Sequence, residues 1–448
     1  MNTEIKNIIS SNDILNFFDN KQIDDGWSFA EYKASETGKW THDYHRYPAK
    51  FIPQLVEALI DKYIQNNYAH INDPFMGCGT TIDTRISRGI VSSGADVNDI
   101  AHLITKVKTT PINPDKLEKK INELLEKIDS FNSSQQTLSN LTNNDDSPFI
   151  PSKHLDRINY WFREENKYEL GYILKFIYEE NDVDTRNFFL VGFSHILKNC
   201  SIWLQTSTKP TRDFKKKPSK PSDAFRRQIK RMKKGNDKFY DIVPKEVKEN
   251  LNDYLNIKID HANKQPVPDD SVDLIVSSSP YVTSYEYADL HQLSTIWLDF
   301  TDDLKEYRRK FIGSSYKKPD NGNLKSEIAQ EIVSEMNSKS NKMAKEVEAF
   351  FIDIENVFKE SYRILKPGGR CCFVIGNTKL KGVNVLNAEV FSESLQYAGF
   401  KFDNLIKREI PSKILPQKRD EKTGKFASSN TANSEAYPVE YIVIGLKE

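Results

Sequence analysis

Two short stretches carry the residues best suited to chemistry. The first reads Asp73-Pro74-Phe75-Met76-Gly77-Cys78-Gly79-Thr80-Thr81. It lies between a strand signal, Ala69 to Asn72, and a helix-like segment, Ile82 to Arg88. Gly77 and Gly79 let the backbone turn sharply and let a ligand approach closely, and the start of the next helix offers unpaired N–H groups. A second small strand, Val91 to Asp96, ends in a carboxylate about twenty residues on, the spacing of a βαβ nucleoside site whose acid holds the ribose hydroxyls. No Gly-Lys-Thr follows, so this is not a P-loop, and the spacing also departs from the dinucleotide fingerprint. The second stretch, Ser278-Ser279-Pro280-Tyr281, ends a largely apolar run, Val272 to Ser277, typical of a buried parallel strand. Ligands of open α/β sheets bind at the carboxyl ends of strands, which puts this tetrapeptide at the mouth of the site beside the glycine loop.

These stretches need an α/β scaffold, and the rest of the chain supplies the signals for one. Pro53 precedes an apolar-periodic helix, Leu55 to Ile64, as a start signal. A helix opens after Asp96 and runs to about Lys108. From 111 to 255 the α/β pattern gives way to helical periodicity (Leu117 to Ile128, Leu170 to Tyr178, Asn187 to Leu197), with a Ser/Asn/Gln-rich loop at 130–147. The aromatic cluster Ile158 to Phe162 reads as a small core. Strands resume at Ile257 to Asp260 and Val272 to Ser277. A helix from Glu346 to Arg363 runs through Lys366-Pro367-Gly368-Gly369 into the strand Arg370 to Ile375. A helix, Ala388 to Tyr397, and two strands, Phe402 to Ile410 and Glu440 to Leu446, complete the pattern, with Ser412 to Pro438 as a loop between the last two. Residues 303–345 are charged and polar, and read as a mobile flap, a DNA-backbone contact or a plain surface insertion.

The totals set bounds. A chain of 448 residues has room for about two to three domains. It carries 64 basic and 64 acidic residues, so any nucleic-acid surface must come from local clustering. One such cluster exists between Lys209 and Lys234, where Arg212, Lys215, Lys216, Lys217, Arg226, Arg227, Lys230 and Arg231 sit among only two acids, Asp213 and Asp223. Phosphate binding is the natural use of that stripe; its proline-rich first half reads as a loop and Ala224 to Lys234 as a helix. The four cysteines form no CxxC or zinc spacing, so no metal is expected. No signal peptide or membrane-length apolar run is seen, and the expected location is the cytoplasm.

The glycine-loop phrase resembles motif I of the DNA amino-methyltransferases, which use S-adenosylmethionine. His45-Arg46-Tyr47-Pro48-Ala49-Lys50-Phe51-Ile52-Pro53 resembles their motif X, and Ser278–Tyr281 their catalytic motif IV. The resemblance covers roughly 40–110 and 256–448. It implies a class I methyltransferase fold, Rossmann-like with a seven-stranded, mostly parallel sheet. The domains would be 1–110 (motifs X and I), an inserted, mainly helical target-recognition region at 111–255, and 256–448 (motif IV onward) with the charged insertion 303–345. It also implies roles. Asp73, Phe75, Gly77, Gly79 and Asp96 would hold the cofactor, Asp260 would lie near its adenine, and Tyr47, Pro48 and Lys50 would support its methionine end. Ser278, Ser279, Pro280 and Tyr281 would present the amine of a base flipped out of double-stranded DNA, with Tyr281 stacked on it; Tyr285 and Tyr287 could line the base pocket or pack in the core.

A leading serine in motif IV is mostly associated with cytosine in this family, which implies 4-methylcytosine as the product. Ser279 stands where the family usually has proline, which keeps the backbone acceptor but leaves a less rigid turn. Adenine-N6 methylation, RNA amino-methylation and a non-catalytic DNA-binding subunit are the alternatives. Ring-carbon methylation is disfavoured, because it needs a cysteine nucleophile, usually after proline, and no Pro-Cys occurs; Glu355-Asn356-Val357 copies a phrase of that family by coincidence on a helix. The implied setting is restriction–modification or related defence, with a cognate endonuclease as a possible partner.

Overall fold

The computed structural model describes residues 10–47, 50–64, 68–134, 147–207, 209–282, 287–317, 322–410, 418–419, 434–435 and 439–448. Eleven strands are found among them: β1 (His70–Asp73), β2 (Val91–Asp96), β3 (Leu255–Ile259), β4 (Val272–Ser278), β5 (Leu365–Ile375), β6 (Thr378–Leu380), β7 (Val383–Val385), β8 (Lys401–Glu409), β9 (Lys418–Arg419), β10 (Ser434–Glu435) and β11 (Val439–Leu446). Seven form one sheet in the order β3-β2-β1-β4-β5-β11-β8; β6–β7 and β9–β10 are small separate pairs. The first five strands run parallel, and β11 is antiparallel to both β5 and β8. The strand order reverses between β1 and β4, and a crevice at the carboxyl ends of strands opens at such a switch point.

Period-two alternation builds the two faces of this sheet. Leu274, Val276, Cys372, Val374, Ile442 and Ile444 point to one side, where Leu55, Val56, Leu59 and Ile60 of the helix Pro53–Tyr63 cover them. Ile275, Cys371, Phe373, Ile375 and Val443 point to the other, against Phe350, Phe351, Ile354 and Phe358 of Asn341–Ile364 and Phe391 and Leu395 of Asn387–Tyr397. Because both faces are covered, the central strands read as continuous apolar runs. The Lys-Pro-Gly-Gly turn lies inside β5 as a break in register: Val272 pairs with Leu365, but Leu274 pairs with Arg370. Gly368 sits there at φ +82°, a backbone position that glycine tolerates best.

Between β2 and β3 the chain makes the helices Pro114–Ser134, Leu155–Trp161, Glu164–Tyr178, Val183–Cys200 and Pro221–Ile242. They share one core with Ile100, Ile104 and Val107 of the helix Asp99–Thr109 and with Leu293, Ile296 and Trp297 of Gln292–Trp297. Ile158, Trp161 and Phe162 are buried in it, and Trp161 stacks on Trp203 at 5.0 Å between centroids, each such large side chain contributing about 1.5–3 kcal/mol on burial. Gly192 allows the close helix contact here: a Cβ would stand 2.4 Å from Ile229 Cδ1.

The described part of the segment 303–345 contributes side chains to the core. Its helix Glu327–Lys339 buries Ile328, Ala329, Ile332 and Met336 in the same core as Phe350 and Phe351. These four make an apolar stripe at helical spacing, hidden among charges in the sequence. Glu355 accepts the backbone N–H groups of Lys325 and Ser326 at 2.9 and 3.0 Å, so the Glu-Asn-Val phrase serves packing. Most of the loop expected at 412–438 lies outside the described residues. Among the described residues no helix is long and apolar enough to cross a membrane.

Candidate active site

The carboxyl ends of β1, β2 and β4 meet around one cavity, lined among others by Tyr47, Lys50, Asp73, Phe75, Gly77, Asp96, Ser278 and Pro280. Asp73, at the end of β1, accepts a hydrogen bond from Ser277 Oγ (2.6 Å) and one from the Phe75 N–H (3.1 Å), which ties the start of the glycine loop to β4. Burial pushes the Asp73 carboxyl up to about 7. Gly77 and Gly79 take φ +49° and +72°. A Cβ on Gly79 would lie 2.6 Å from Thr105 Cγ2, and one on Gly77 3.2 Å from the Tyr47 ring. Bare backbone is therefore required at both positions.

Asp96 holds the other side of the loop. Its two oxygens accept the N–H groups of Gly77 (3.0 Å) and Asn98 (2.9 Å), and each keeps a lone pair for a further donor. Burial raises this carboxyl to about 6. Behind the loop lies a buried ionic cluster. Lys108 Nζ donates to the Cys78 carbonyl (2.8 Å) and lies 3.5 Å from Asp83, which also accepts from Thr41 Oγ1 (2.6 Å). His42 Nδ1 stands 3.1 Å from Asp83, and burial, then the Lys108 charge, keeps that histidine neutral. Lys50 Nζ donates to the His42 carbonyl at 2.7 Å. The segment before Pro53, the glycine loop and the helix after β2 are thus locked together.

Other predicted residues fall into separate groups. Ser278 and Pro280 line the cavity, while Ser279 is buried beside it with its N–H on the Val374 carbonyl at 3.3 Å. Tyr281 lies just beyond the lining. Its hydroxyl donates to Glu440 Oε1 (3.1 Å), and a Cβ on Gly376 would meet its ring at 3.2 Å. Asp260 follows β3 but does not line the cavity: its carboxylate accepts the His261 N–H at 2.9 Å and stands 3.7 Å from Lys264. His261 and Ala262 line the cavity in its place, from the turn that follows the end of β3 at Ile259. Pro48 and Tyr285 lie outside the described residues. Tyr287 lines the cavity, 6.4 Å from the Tyr47 ring, which itself stacks on His291 at 4.9 Å.

Lys310, Phe311 and Ile312 also line the cavity, from a segment whose sequence shows only a cluster of charge. A long-range anchor delivers them. Tyr307, fully buried, donates to Asn98 Oδ1 at 3.1 Å and accepts the Asp99 N–H at 3.1 Å, while Arg308 Nε donates to Asp289 at 2.7 Å.

The basic stretch divides by geometry. Its second half is the helix Pro221–Ile242, longer than the charge pattern implied. Arg227 and Lys230 are exposed on it, and Lys215 and Lys217 on the loop before it, without an ion pair among the described residues. Arg226 and Arg231 are paired with Asp129 and Asp43. Lys216 is structural rather than free for phosphate: Nζ donates to the carbonyls of Lys198 (2.7 Å) and Trp203 (2.6 Å), and burial lowers it to about 8. Among the described residues no cluster of His, Cys, Asp and Glu could hold a metal, and all four cysteines are buried.

No family model matches the chain. The chain is 27% identical over 426 residues to the Type II methyltransferase M.MvaI of Kocuria varians, covering 89% of this chain and 90% of that protein. It is 22% identical over 419 residues to M.BsoBI of Geobacillus stearothermophilus, covering 82% and 81%. Over most of its length the chain is similar to Type II DNA methyltransferases. A solved methyltransferase of Methanosarcina mazei overlaps 90% of the chain and 98% of its own length at 10% identity, with a TM-score of 0.29. The strand order β3-β2-β1-β4-β5-β11-β8 defines the fold of this chain.

Proposed function

We propose that this DNA methyltransferase modifies the exocyclic amine of a flipped cytosine, giving 4-methylcytosine. One observation carries the reading: Ser278 and Pro280 line the same cavity as Gly77 and Asp96. The residues around that cavity fit the cofactor. The bare backbone at Gly77 leaves room for close approach, Asp96 has lone pairs for the ribose hydroxyls, Phe75 and Ala262 would give apolar contact to adenine, and Tyr47 and Lys50 would support the methionine end. When bound, S-adenosylmethionine supplies an electrophilic methyl on a sulfonium.

The protein's own part is positioning and electrostatics. Ser278 Oγ and a backbone carbonyl of the tetrapeptide accept the amine's hydrogens and draw its lone pair out of conjugation with the ring. The register of β4 against β5, Ser277 to Phe373 and Ser278 to Val374, fixes the first acceptor. The Ser279 N–H on Val374 restrains the turn where the family has proline. Tyr281, tethered by Glu440, offers a ring for the extruded base. The leading serine supports cytosine over adenine by likeness to the family.

The test is mass spectrometry of nucleosides from duplex DNA incubated with protein and S-adenosylmethionine, with Tyr281→Ala as control. New 4-methylcytosine that disappears in the control is the expected result. New 6-methyladenine would overturn the base assignment and keep the enzyme. Methylation of RNA alone would replace the substrate.

A further inference from the structure

The loop between the helices Val183–Cys200 and Pro221–Ile242 is built to hold one arginine. Its two limbs are bonded to each other: the Leu204 N–H donates to the Thr211 carbonyl at 2.8 Å and the Asp213 N–H to the Ile202 carbonyl at 2.7 Å. Trp203 and Arg212 form a β-bridge. Lys216 pins the base of the loop through three acceptors, and Arg163 Nη2 donates to the Lys216 carbonyl at 3.0 Å. On this frame the Arg212 guanidinium lies 3.9 Å from the Tyr160 ring centroid and 4.5 Å from that of Phe214. Both rings are exposed, at 42% and 67%. Arg212 has no ion pair among the described residues, and its one hydrogen bond to protein is a 3.5 Å contact with the Tyr160 carbonyl. A guanidinium clamped on aromatic faces has lost rotamer freedom in advance while keeping most of its donor fork.

This element is linked to the cavity. Arg157, which packs on Tyr160 at 5.3 Å, donates to Gln292 Oε1 at 2.6 Å. Gln292 opens the helix that follows Tyr287 of the lining by five residues. Exposed Lys215 and Lys217 follow Arg212 on the same loop.

We infer that Arg212 is a specificity-determining residue that reads a guanine edge in the DNA duplex, while these two lysines contact phosphate. The inference rests on the DNA substrate of the proposed function. A planar fork matches the O6 and N7 acceptors of guanine in the major groove, and the two rings hold that fork in one fixed orientation, as a bidentate base contact needs.

The test profiles methylation on a randomised duplex library, comparing wild type, Arg212→Lys, Arg212→Ala and Lys215→Ala. Arg212→Lys keeps the charge and loses the fork. The expected result is that discrimination falls about ten- to a hundredfold at one G·C position in both Arg212 variants. Lys215→Ala lowers methylation evenly at all sequences. An Arg212→Ala profile that is uniformly weaker but keeps the wild-type preference overturns the inference and makes Arg212 a phosphate contact. A wild type that methylates no duplex overturns the DNA reading itself, and this inference with it. Circular dichroism melts separate a folding loss from either result, since both rings clamping Arg212 are exposed.

Discussion

Asp96 accepts the Gly77 N–H of the glycine loop, and its proposed role as partner of the cofactor ribose is measurable. Its carboxyl is raised to about 6 by burial, and a ribose hydroxyl donates better to the ionised form. Cofactor affinity is therefore expected to rise as pH climbs from 5 through 6 and to level off above 7. Asp96→Asn should flatten that profile and weaken binding about ten- to a hundredfold, the worth of hydrogen bonds to a charged group at about 1.5–3 kcal/mol. Calorimetric titration across pH checks both, and a wild-type affinity independent of pH between 5 and 7 would remove Asp96 from the site. Gly79→Ala is a separate case. Its φ of +72° and the Thr105 contact at 2.6 Å predict a loss of more than about 1 kcal/mol in stability, read as a lower urea midpoint.

At the scale of elements, the glycine loop keeps its shape because the helices around it are locked by buried charge. Lys108 and Asp83 are each 1% exposed. Removing one partner leaves the other charge uncompensated, at a cost of about 3–5 kcal/mol. Lys108→Met is expected to destabilise by that amount, and the double variant Asp83→Asn/Lys108→Met to recover part of it, measured by urea denaturation. A double-variant loss equal to the sum of the two single-variant losses would show that the pair is not coupled. Many of the strands and helices were legible in the sequence. β2 was placed residue for residue, and the helix Pro53–Tyr63 within two residues, because apolar period and a proline start are local signals. The strap at Lys310–Ile312 was not legible. It reaches the cavity through Tyr307 and Asn98, 209 residues apart in the chain, and no local pattern encodes such a contact.

For the whole molecule, a neutral chain must bind DNA through a local patch. Exposed Lys215, Lys217, Arg227 and Lys230 should each add to the salt dependence of binding, so Lys230→Glu is expected to lower the slope of log K against log salt by about one. Lys216→Met should leave that slope unchanged and lower stability instead, since its ammonium is spent on carbonyls. Fluorescence anisotropy at several salt concentrations separates the two; a slope change in Lys216→Met would return that residue to the DNA surface. The sequence by itself determined the α/β class, the order of the glycine loop, Asp96 and the Ser-Ser-Pro-Tyr turn, and the presence of a basic stretch. It could do so because strand alternation, helix period and short motifs are written in neighbouring residues. Only the tertiary structure decided which basic groups are free, that His261 and Ala262 rather than Asp260 line the cavity, and that the charged segment 303–345 packs into the core. Charge is visible in a sequence, but its partners are not: Asp43 and Asp129 neutralise Arg231 and Arg226 from 188 and 97 residues away, and only folding brings them together.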